Sequence, residues 1–369
     1  MHSDFHYYGT YAIARATGLN TETCKIIATA AQFVDDNNEE KVIDFANGEG
    51  RINVVPTAHP LLHIDNSQLF DSDQRTVWLP FHFLPGNKGG CMSERLICRK
   101  DSEIARQMVD FCLSLAKKPF GFYLIGIATH VYADTFSHYG FSGVSSRWNK
   151  VDGNSITLLN DKKDNRAEDR FREKYGKTMG KLPNWRQSFL KTLQSGLAES
   201  GTGALGHGAV LKYPDYPYLS WQFSYEHPDG NQRNSDRDNL ATYLDACEKL
   251  HGVFCRVGQD NPSHKDSQGR SFDSIRDAVA TILKTQETDR KKREAAWEAA
   301  SRNGDLFTSP ESIPPYQGEE WQKNFERLNG KGKSSDVLDD PVFRFCQAAE
   351  TYRAYVLRDL LPSHGLVVD

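Results

Sequence analysis

The first 138 residues of the chain concentrate side chains that bind metal ions, including seven of its 12 histidines. In the segment HVYADTFSH, the residues His130, Asp134 and His138 follow one another at intervals of four. Because a helix has about 3.6 residues per turn, these three side chains share one face at successive turns. Two imidazoles and a carboxylate suit zinc and similar divalent ions. The segment therefore predicts one half of a metal site.

One helix cannot close a coordination sphere, so other segments must supply donors. The preferred donors are His6 near the N-terminus, Asp35 at the end of an apolar helical stripe, and His207 in a glycine-rich loop. Glycines on both sides of His207 allow close backbone approach. The weaker candidates are Asp4, Asp36, His63, His82 and Asp215. For His59, His63 and Asp65, a surface or turn role fits as well as ligation.

A site of this composition predicts hydrolysis by an activated water. Two zinc-like ions about 3.5–4 Å apart can orient a phosphoryl group and stabilise both the attacking and the leaving oxygen. Coordination also lowers the pKa of a bound water to about 7, so no strong protein base is needed. We expect Asp134 to act in catalysis as a ligand, and Asp35 or Asp36 to orient or deprotonate the water.

Helices are predicted to position most of these residues. Apolar spacing and capping residues predict helices over 8–17, from 20 or 21 through 34, and over 101–117, 121–138, 239–250, 274–301 and 341–361. Glycine and proline punctuate residues 45–90, which predicts loops with short strands. The expected fold class is mainly α, a single helical domain with long loops.

Two regions are expected within that domain. Residues 1–250 are predicted to form the metal-binding catalytic core, with a charged insertion at about 147–195, and residues 251–369 a helical extension that packs on the core. Alternating charge in the insertion favours a solvated segment over a binding arm. The basic run RKKR at 290–293 lies among acidic residues, so a solvated helix face is predicted there as well.

Composition excludes several functional classes. The chain has 45 Lys and Arg against 49 Asp and Glu, and a net charge of −4 argues against a nucleic-acid patch or an anionic membrane partner. Its longest apolar stretch, FGFYLIGIA, is shorter than the roughly 18 residues of a membrane span. The N-terminus shows no export signal, and seven cysteines without a C-x-x-C pair favour reduced thiols. We expect a cytoplasmic protein, or one secreted by a signal-independent route.

Five blocks of sequence carry a resemblance to known proteins: DFHYYGTY, AAQFVDD, FHFLPG, HVYADTFSHYGFSG and GHGAV. In this order they resemble a family of uncharacterised microbial proteins, over roughly residues 4–245. More distantly, the chain resembles the zinc-dependent phospholipase C and P1 nuclease superfamily. That resemblance implies a helical enzyme whose cluster of up to three zinc ions hydrolyses phosphodiesters or phosphomonoesters.

The superfamily resemblance also implies roles for individual residues. It places His6 and Asp35 among the ligands, His130 and Asp134 on the central helix with Asp134 bridging two ions, and His138 with His207 on a third ion. In the superfamily the N-terminal amine is a ligand, and here Asp4 is expected to take its place. The His-x-x-x-Glu of the superfamily is not matched after His207, so one or two ions are expected rather than three.

The expected function is a metal-dependent hydrolase of phosphoric esters, phospholipase C-like or nuclease-like. Its substrate would be a phosphate-ester small molecule or a phospholipid headgroup, and its cofactor zinc, with iron or manganese as alternatives. Two other functions remain open. One is a di-iron oxygenase-type enzyme, and the other is a non-enzymatic, metal-stabilised binding or effector scaffold whose aromatic loop YPDYPYLSW, at 213–221, contacts a partner.

Overall fold

The computed structural model describes residues 1–38, 40–48, 50–58, 74–159, 210, 212–226, 232–330 and 337–368. The fold is mainly α, as predicted. The main helices are α1 Thr10–Ala16, α2 Thr21–Asp36, α3 Glu103–Ser114, α4 Gly121–Ser137, α5 Asn239–Asp260, α6 Phe272–Leu283, α7 Arg290–Arg302, α8 Gly318–Leu328 and α9 Pro341–Tyr355. Shorter helical segments lie at Asp4–Gly9, Gln74–Trp78, Leu79–Phe81, Met92–Arg95, Val356–Leu360 and Leu361–Ser363. Single 3-10 turns lie at Ala46–Gly48, Arg147–Asn149, Tyr213–Asp215 and Pro262–His264.

Two small antiparallel sheets accompany the helices. Strands β1 Lys41–Asp44 and β2 Arg51–Val54 form a hairpin, and β3 Val151–Leu158, β4 Ser220–Glu226 and β5 Gln232–Asp238 form a sheet in the order β3-β4-β5. The hairpin agrees with the short strands expected after residue 45. The three-stranded sheet was not predicted, because the sequence of β5, QRNSDRD, is polar throughout and becomes a strand only by pairing with β4.

Helices α2 and α4 form the centre of the fold. Helix α2 begins at Asn20, whose side chain accepts a hydrogen bond from the Thr23 amide at 2.9 Å. Helix α4 is buried along almost its whole length. At Gly126 the two backbones approach so closely that a Cβ atom would lie 2.5 Å from the Ile27 carbonyl oxygen. This contact brings Asp35, on the last turn of α2, to the face of α4.

Gly126→Ala is expected to destabilise the protein by about 1–3 kcal/mol, because the added methyl group must push the α2 backbone away. Urea unfolding followed by circular dichroism measures the change. The matched control is Gly252→Ala in α5, where an added Cβ meets no atom within 4 Å. That substitution is expected to stabilise by about 0.5–1 kcal/mol through helix propensity. Equal effects of the two substitutions would contradict close α2–α4 packing.

The C-terminal part of the chain shares one hydrophobic core with the N-terminal part, from Phe5 to Leu366. Helix α5 runs through residue 250, where the boundary between core and extension was expected, so the two regions share a helix. Within the expected insertion, residues 151–158 form β3, and residues 160–195 lie outside the described part of the chain. Among the residues described, no helix is both long and apolar enough to cross a membrane.

One prediction in the C-terminal part is wrong, and a second holds for three of its four residues. The single helix expected over 274–301 is two helices, α6 and α7, and α7 starts at Asp289, whose side chain accepts a hydrogen bond from the Lys291 amide. The basic run at 290–293 is not wholly a solvated face. Arg293 is buried, because its guanidinium pairs with a carboxylate of the N-terminal segment. Helix α8 was not predicted.

Candidate metal centre

Helix α4 places the three residues of the predicted pattern around one buried carboxylate. The Nε2 atom of His130 lies 3.2 Å from Asp134 Oδ2, and the Nδ1 atom of His138 lies 3.5 Å from the same oxygen. All three side chains are buried, and His138 caps the C-terminal end of the helix. The structure therefore brings together the residues that helical spacing placed on one face.

A first set of donor atoms, donor group 1, surrounds Asp134 Oδ2. It comprises Asp134 Oδ2, His130 Nε2, His82 Nδ1 and Asp35 Oδ1. The two imidazole nitrogens are 3.2 Å apart, and His82 Nδ1 is 3.4 Å from Asp134 Oδ2. Asp35 Oδ1 lies 3.8 Å from His130 Nε2 and 3.9 Å from His82 Nδ1. Two ligands bound at about 2.1 Å to one tetrahedral ion are about 3.4 Å apart, so the separations among His82, His130 and Asp134 fit one ion, and Asp35 lies somewhat farther from the imidazoles.

Backbone carbonyls fix which nitrogen of each imidazole faces the cluster. His130 Nδ1 lies 2.8 Å from the Ala31 carbonyl oxygen, and His82 Nε2 lies 2.8 Å from the Thr57 carbonyl oxygen. Because a carbonyl only accepts, each of these nitrogens carries a proton, and in the neutral ring the opposite nitrogen presents its lone pair to donor group 1. A hydrogen bond of this kind orients almost every metal-ligating histidine.

With both rings neutral, donor group 1 is a convergence of electron pairs; burial lowers the pKa of His130, but Asp134 and Asp35 outweigh it and raise that pKa, which favours a positive charge among these atoms. The two imidazole nitrogens lie 3.2–3.4 Å from Asp134 Oδ2 and 3.8–3.9 Å from Asp35 Oδ1. In a buried site such an arrangement is repulsive unless a proton or a cation lies among the donors. A divalent cation among His82, His130 and Asp134 would satisfy these donors, with Asp35 close by.

A second set, donor group 2, faces the other oxygen of the same carboxylate. It comprises Asp134 Oδ1, the Met1 amino nitrogen at 3.0 Å and His6 Nε2 at 3.2 Å. The His6 ring is fully buried and stacks on that of His130, with centroids 3.8 Å apart. Among the described residues, neither His6 ring nitrogen has a hydrogen-bond partner. A buried imidazole without hydrogen bonds is costly, and coordination would satisfy it.

His138 turns its second nitrogen toward another acid. Its Nδ1 atom lies 2.9 Å from the His82 carbonyl oxygen, and its Nε2 atom lies 3.9 Å from Asp215 Oδ1. The same Asp215 oxygen is 3.4 Å from the Met1 nitrogen. Asp215 therefore adjoins donor group 2 at the Met1 nitrogen.

The surrounding charges keep the central carboxylate ionised. Burial alone would raise the pKa of Asp134, but His138, the Met1 amine and His130 hold it well below its usual range. The Met1 amine shows the complementary effect. Burial lowers its pKa, whereas Asp134 and Asp215 raise it to about 11.

His6 is held in its neutral form. Burial is the main cause, and neighbouring His130 and the Met1 amine add to it, so that the pKa of His6 falls to about 3. A metal ion requires a deprotonated imidazole and an ionised carboxylate. His6 and Asp134 are thus already in the states that bind metal.

Several expected residues are not brought to the cluster. Asp36 accepts a hydrogen bond from the Tyr316 hydroxyl at 2.5 Å and belongs to neither donor group. Asp4, expected to replace the N-terminal amine as a ligand, instead pairs with Arg293, while the Met1 nitrogen itself lies at Asp134. The remaining candidates lie outside the described residues: His59, His63, Asp65 and His207.

His82 and Asp215, weaker candidates from the sequence, both lie at the cluster, and so does the Met1 nitrogen. His82 stands between Phe81 and Phe83, both of which are buried. A histidine between two large apolar residues is itself a signal for a buried imidazole that needs partners. Asp215, in an aromatic loop, has no comparable local signal, because its neighbours in space come from the other end of the chain.

Residues 1–360 match one protein family, described as a family of unknown function, DUF6765. The match confirms the expectation of an uncharacterised family. No curated protein matches the chain, and no solved structure does.

Proposed function

We propose that this chain, which belongs to the family of unknown function DUF6765, is a metal-dependent hydrolase of phosphoric esters. The observation that carries the proposal is the position of Asp134. Its Oδ2 atom faces the two imidazoles of donor group 1, and its Oδ1 atom faces His6 and the Met1 nitrogen of donor group 2. A carboxylate placed in this way can bridge two ions, and paired ions are typical of phosphoryl-transfer sites.

The donor types favour zinc. One ion would be held by His82, His130 and Asp134, with Asp35 beside them, and the second by His6 and Asp134, with the Met1 amine as a further ligand once it has given up its proton. Mixed imidazole and carboxylate donors suit zinc, with iron and manganese as alternatives. Carboxylate-bridged di-iron enzymes use four glutamates with two histidines. Because imidazoles outnumber carboxylates in the two donor groups, the di-iron oxygenase is the less favoured function.

The resemblance to zinc-dependent phospholipase C and P1 nuclease supports phosphoric esters as substrates. Of the ligands that it implies, His6 and His130 lie beside Asp134, and Asp35 lies beside His130. The fourth histidine of the cluster is His82, 48 residues before His130 in the chain. A small phosphate ester and a phospholipid headgroup are both consistent with this chemistry.

Asp35 is the most exposed side chain of donor group 1, so we place the approach of water and substrate on its side of the cluster. Its side chain is 31 % exposed, whereas those of His82, His130 and Asp134 are 0–5 % exposed. When bound, two divalent ions supply Lewis acidity toward a phosphoryl group and make a water molecule more acidic. We assign Asp35 to orient that water and accept its proton. His82 and His130 remain fixed by their carbonyl contacts, so the site needs little rearrangement.

A panel of phosphoric esters tests the proposal. The purified protein is loaded with zinc, iron or manganese and assayed with bis-p-nitrophenyl phosphate, p-nitrophenyl phosphate, p-nitrophenyl phosphorylcholine and single-stranded DNA. We expect metal-dependent hydrolysis of at least one of them, highest with zinc. Fully metallated protein that hydrolyses none would refute the proposal and favour the binding scaffold. Oxygen consumption by the iron-loaded protein would instead favour an oxygenase.

The two donor groups are expected to lose metal separately. His82→Asn removes a ligand of donor group 1 only, and His6→Asn removes a ligand of donor group 2 only. We expect two zinc ions per chain in the parent protein and about one in each variant, measured by elemental analysis after gel filtration. The control is His264→Asn, because His264 contacts Thr23 and lies in neither group. Parent-like zinc content in both test variants would contradict a two-ion cluster.

A further inference from the structure

Arg293 belongs to α7 in the C-terminal part of the chain, yet its guanidinium is buried against the N-terminal segment. Its Nε atom donates to Asp4 Oδ2 at 2.8 Å, and its Nη2 atom donates to Asp4 Oδ1 at 3.0 Å. Both side chains are almost fully buried. A two-pronged pair of this kind fixes orientation as well as distance. Asp4 is therefore held in a defined position.

The remaining contacts of Arg293 reach other segments near the cluster. Its Nη1 atom donates to the Glu287 carbonyl oxygen at 2.7 Å, and its Nη2 atom lies 3.4 Å from His2 Nδ1. The guanidinium also lies over the Tyr216 ring, 5.0 Å from the centroid. One buried cation thus joins the N-terminal residues to the loop that carries Asp215.

The segments that Arg293 holds are those that carry donor group 2 and its neighbour. Asp4 opens the π-helical segment Asp4–Gly9, which also contains His6 and follows Met1 by three residues. Asp215 directly precedes Tyr216. Asp4 is two residues from His6, and Tyr216 is adjacent to Asp215. A displacement of Asp4 or Tyr216 therefore moves the side chains of His6 or Asp215 as well.

We propose that Arg293 is a positioning residue for the metal cluster, which holds His6 and Asp215 in place through Asp4 and Tyr216. This inference rests on the proposed function in that it requires a metal ion in the cluster. A buried ion pair commonly adds no more stability than a well-packed apolar pair, whereas it restricts the geometry of both partners. The role of Arg293 is accordingly to place donors, without touching the reacting atoms.

The test is metal binding by Arg293→Lys and Arg293→Met. Lysine keeps the charge but cannot form the two-pronged contact. Zinc affinity is measured by competition with a chromogenic chelator, and coordination geometry by the visible spectrum of the cobalt-loaded protein. We expect zinc affinity about 10–100-fold weaker for one ion in both variants, as for other groups that orient ligands. The cobalt spectrum is expected to change in the same variants.

The matched control is Arg15→Met. Arg15 also joins the N-terminal part to the C-terminal part. Its Nε atom lies 2.9 Å from Glu311 Oε1, and its guanidinium also pairs with Asp266, but neither acid belongs to donor group 1 or 2. It is expected to lower the melting temperature and keep the parent zinc affinity. If Arg293→Met does not fold, the double variant Asp4→Leu/Arg293→Met replaces the pair by apolar side chains. That variant is expected to fold and to bind zinc weakly.

Parent-like zinc affinity and cobalt spectrum in the Arg293 variants would overturn the inference and leave Arg293 a structural role only. Failure of the parent protein to bind zinc or cobalt would overturn both this inference and the proposed function. A parent protein that binds metal tightly but hydrolyses no ester overturns the proposed function alone. In that case weaker metal binding by Arg293→Lys still supports the positioning role.

Discussion

Asp134→Asn is expected to remove zinc from both donor groups and to reduce ester hydrolysis by about 10²–10⁴-fold. Asparagine keeps the shape of the side chain but has one acceptor oxygen and an amide group that only donates. The asparagine side chain therefore cannot bridge two ions. One of the two donor groups would face its NH₂ group in place of a carboxylate oxygen. Each 1.36 kcal/mol of transition-state stabilisation lost is tenfold in rate, so the expected decrease corresponds to about 3–5 kcal/mol of stabilisation that the bound ions supply. Elemental analysis and the ester panel measure the two effects.

Asp36→Asn is the matched control for Asp134→Asn. Asp36 is an acid on the last turn of α2, next to Asp35, but its carboxylate is engaged by Tyr316 and belongs to neither donor group. The variant is expected to keep both zinc ions and to lose less than about tenfold in rate, since no ligand is removed. Full zinc content in Asp134→Asn would contradict a bridging carboxylate. A larger loss of rate in Asp36→Asn would restore Asp36 as the water-orienting residue.

The half of the site on α4 could be predicted because its geometry is local. His130, Asp134 and His138 share a face through helical periodicity alone, and the apolar residues around them indicate burial. Asp35 could also be predicted, since it extends an apolar stripe at the end of α2. For these residues the interval along the chain determines the relative positions of the side chains.

The other half depends on contacts between distant segments. His82 meets His130 across 48 residues, and Arg293 meets Asp4 across 289. No periodicity along the chain encodes such distances. The basic run at 290–293 has the charge pattern of a solvated helix, and only a buried acid contributed by another segment shows that Arg293 faces inward. β5 is a similar case, because its polar sequence forms a strand only beside β4.

Removal of metal with EDTA is expected to lower the melting temperature by roughly 10 °C. A ligand that binds only the folded state at about 100 times its Kd stabilises that state by about 2.7 kcal/mol, so two ions contribute about 5 kcal/mol. For a large domain, 1 kcal/mol corresponds to a shift of about 2 °C. Without metal, the folded protein must hold the donor atoms of donor group 1 close together in a buried site. Their mutual repulsion then destabilises the folded state, and a bound ion removes it. Differential scanning calorimetry with and without chelator measures the shift.

Two controls separate loss of metal from other effects of the chelator. EDTA saturated with zinc should leave the melting temperature of the parent protein unchanged. EDTA alone should have little effect on Asp134→Asn, because that variant is expected to hold no ion that the chelator could remove. An identical melting curve of the zinc-loaded parent protein before and after chelation would mean that no ion is bound preferentially by the folded state. The convergence of His82, His130, Asp35 and Asp134 would then be held by shared protons, and neither the hydrolase nor the metal-stabilised scaffold could describe the protein.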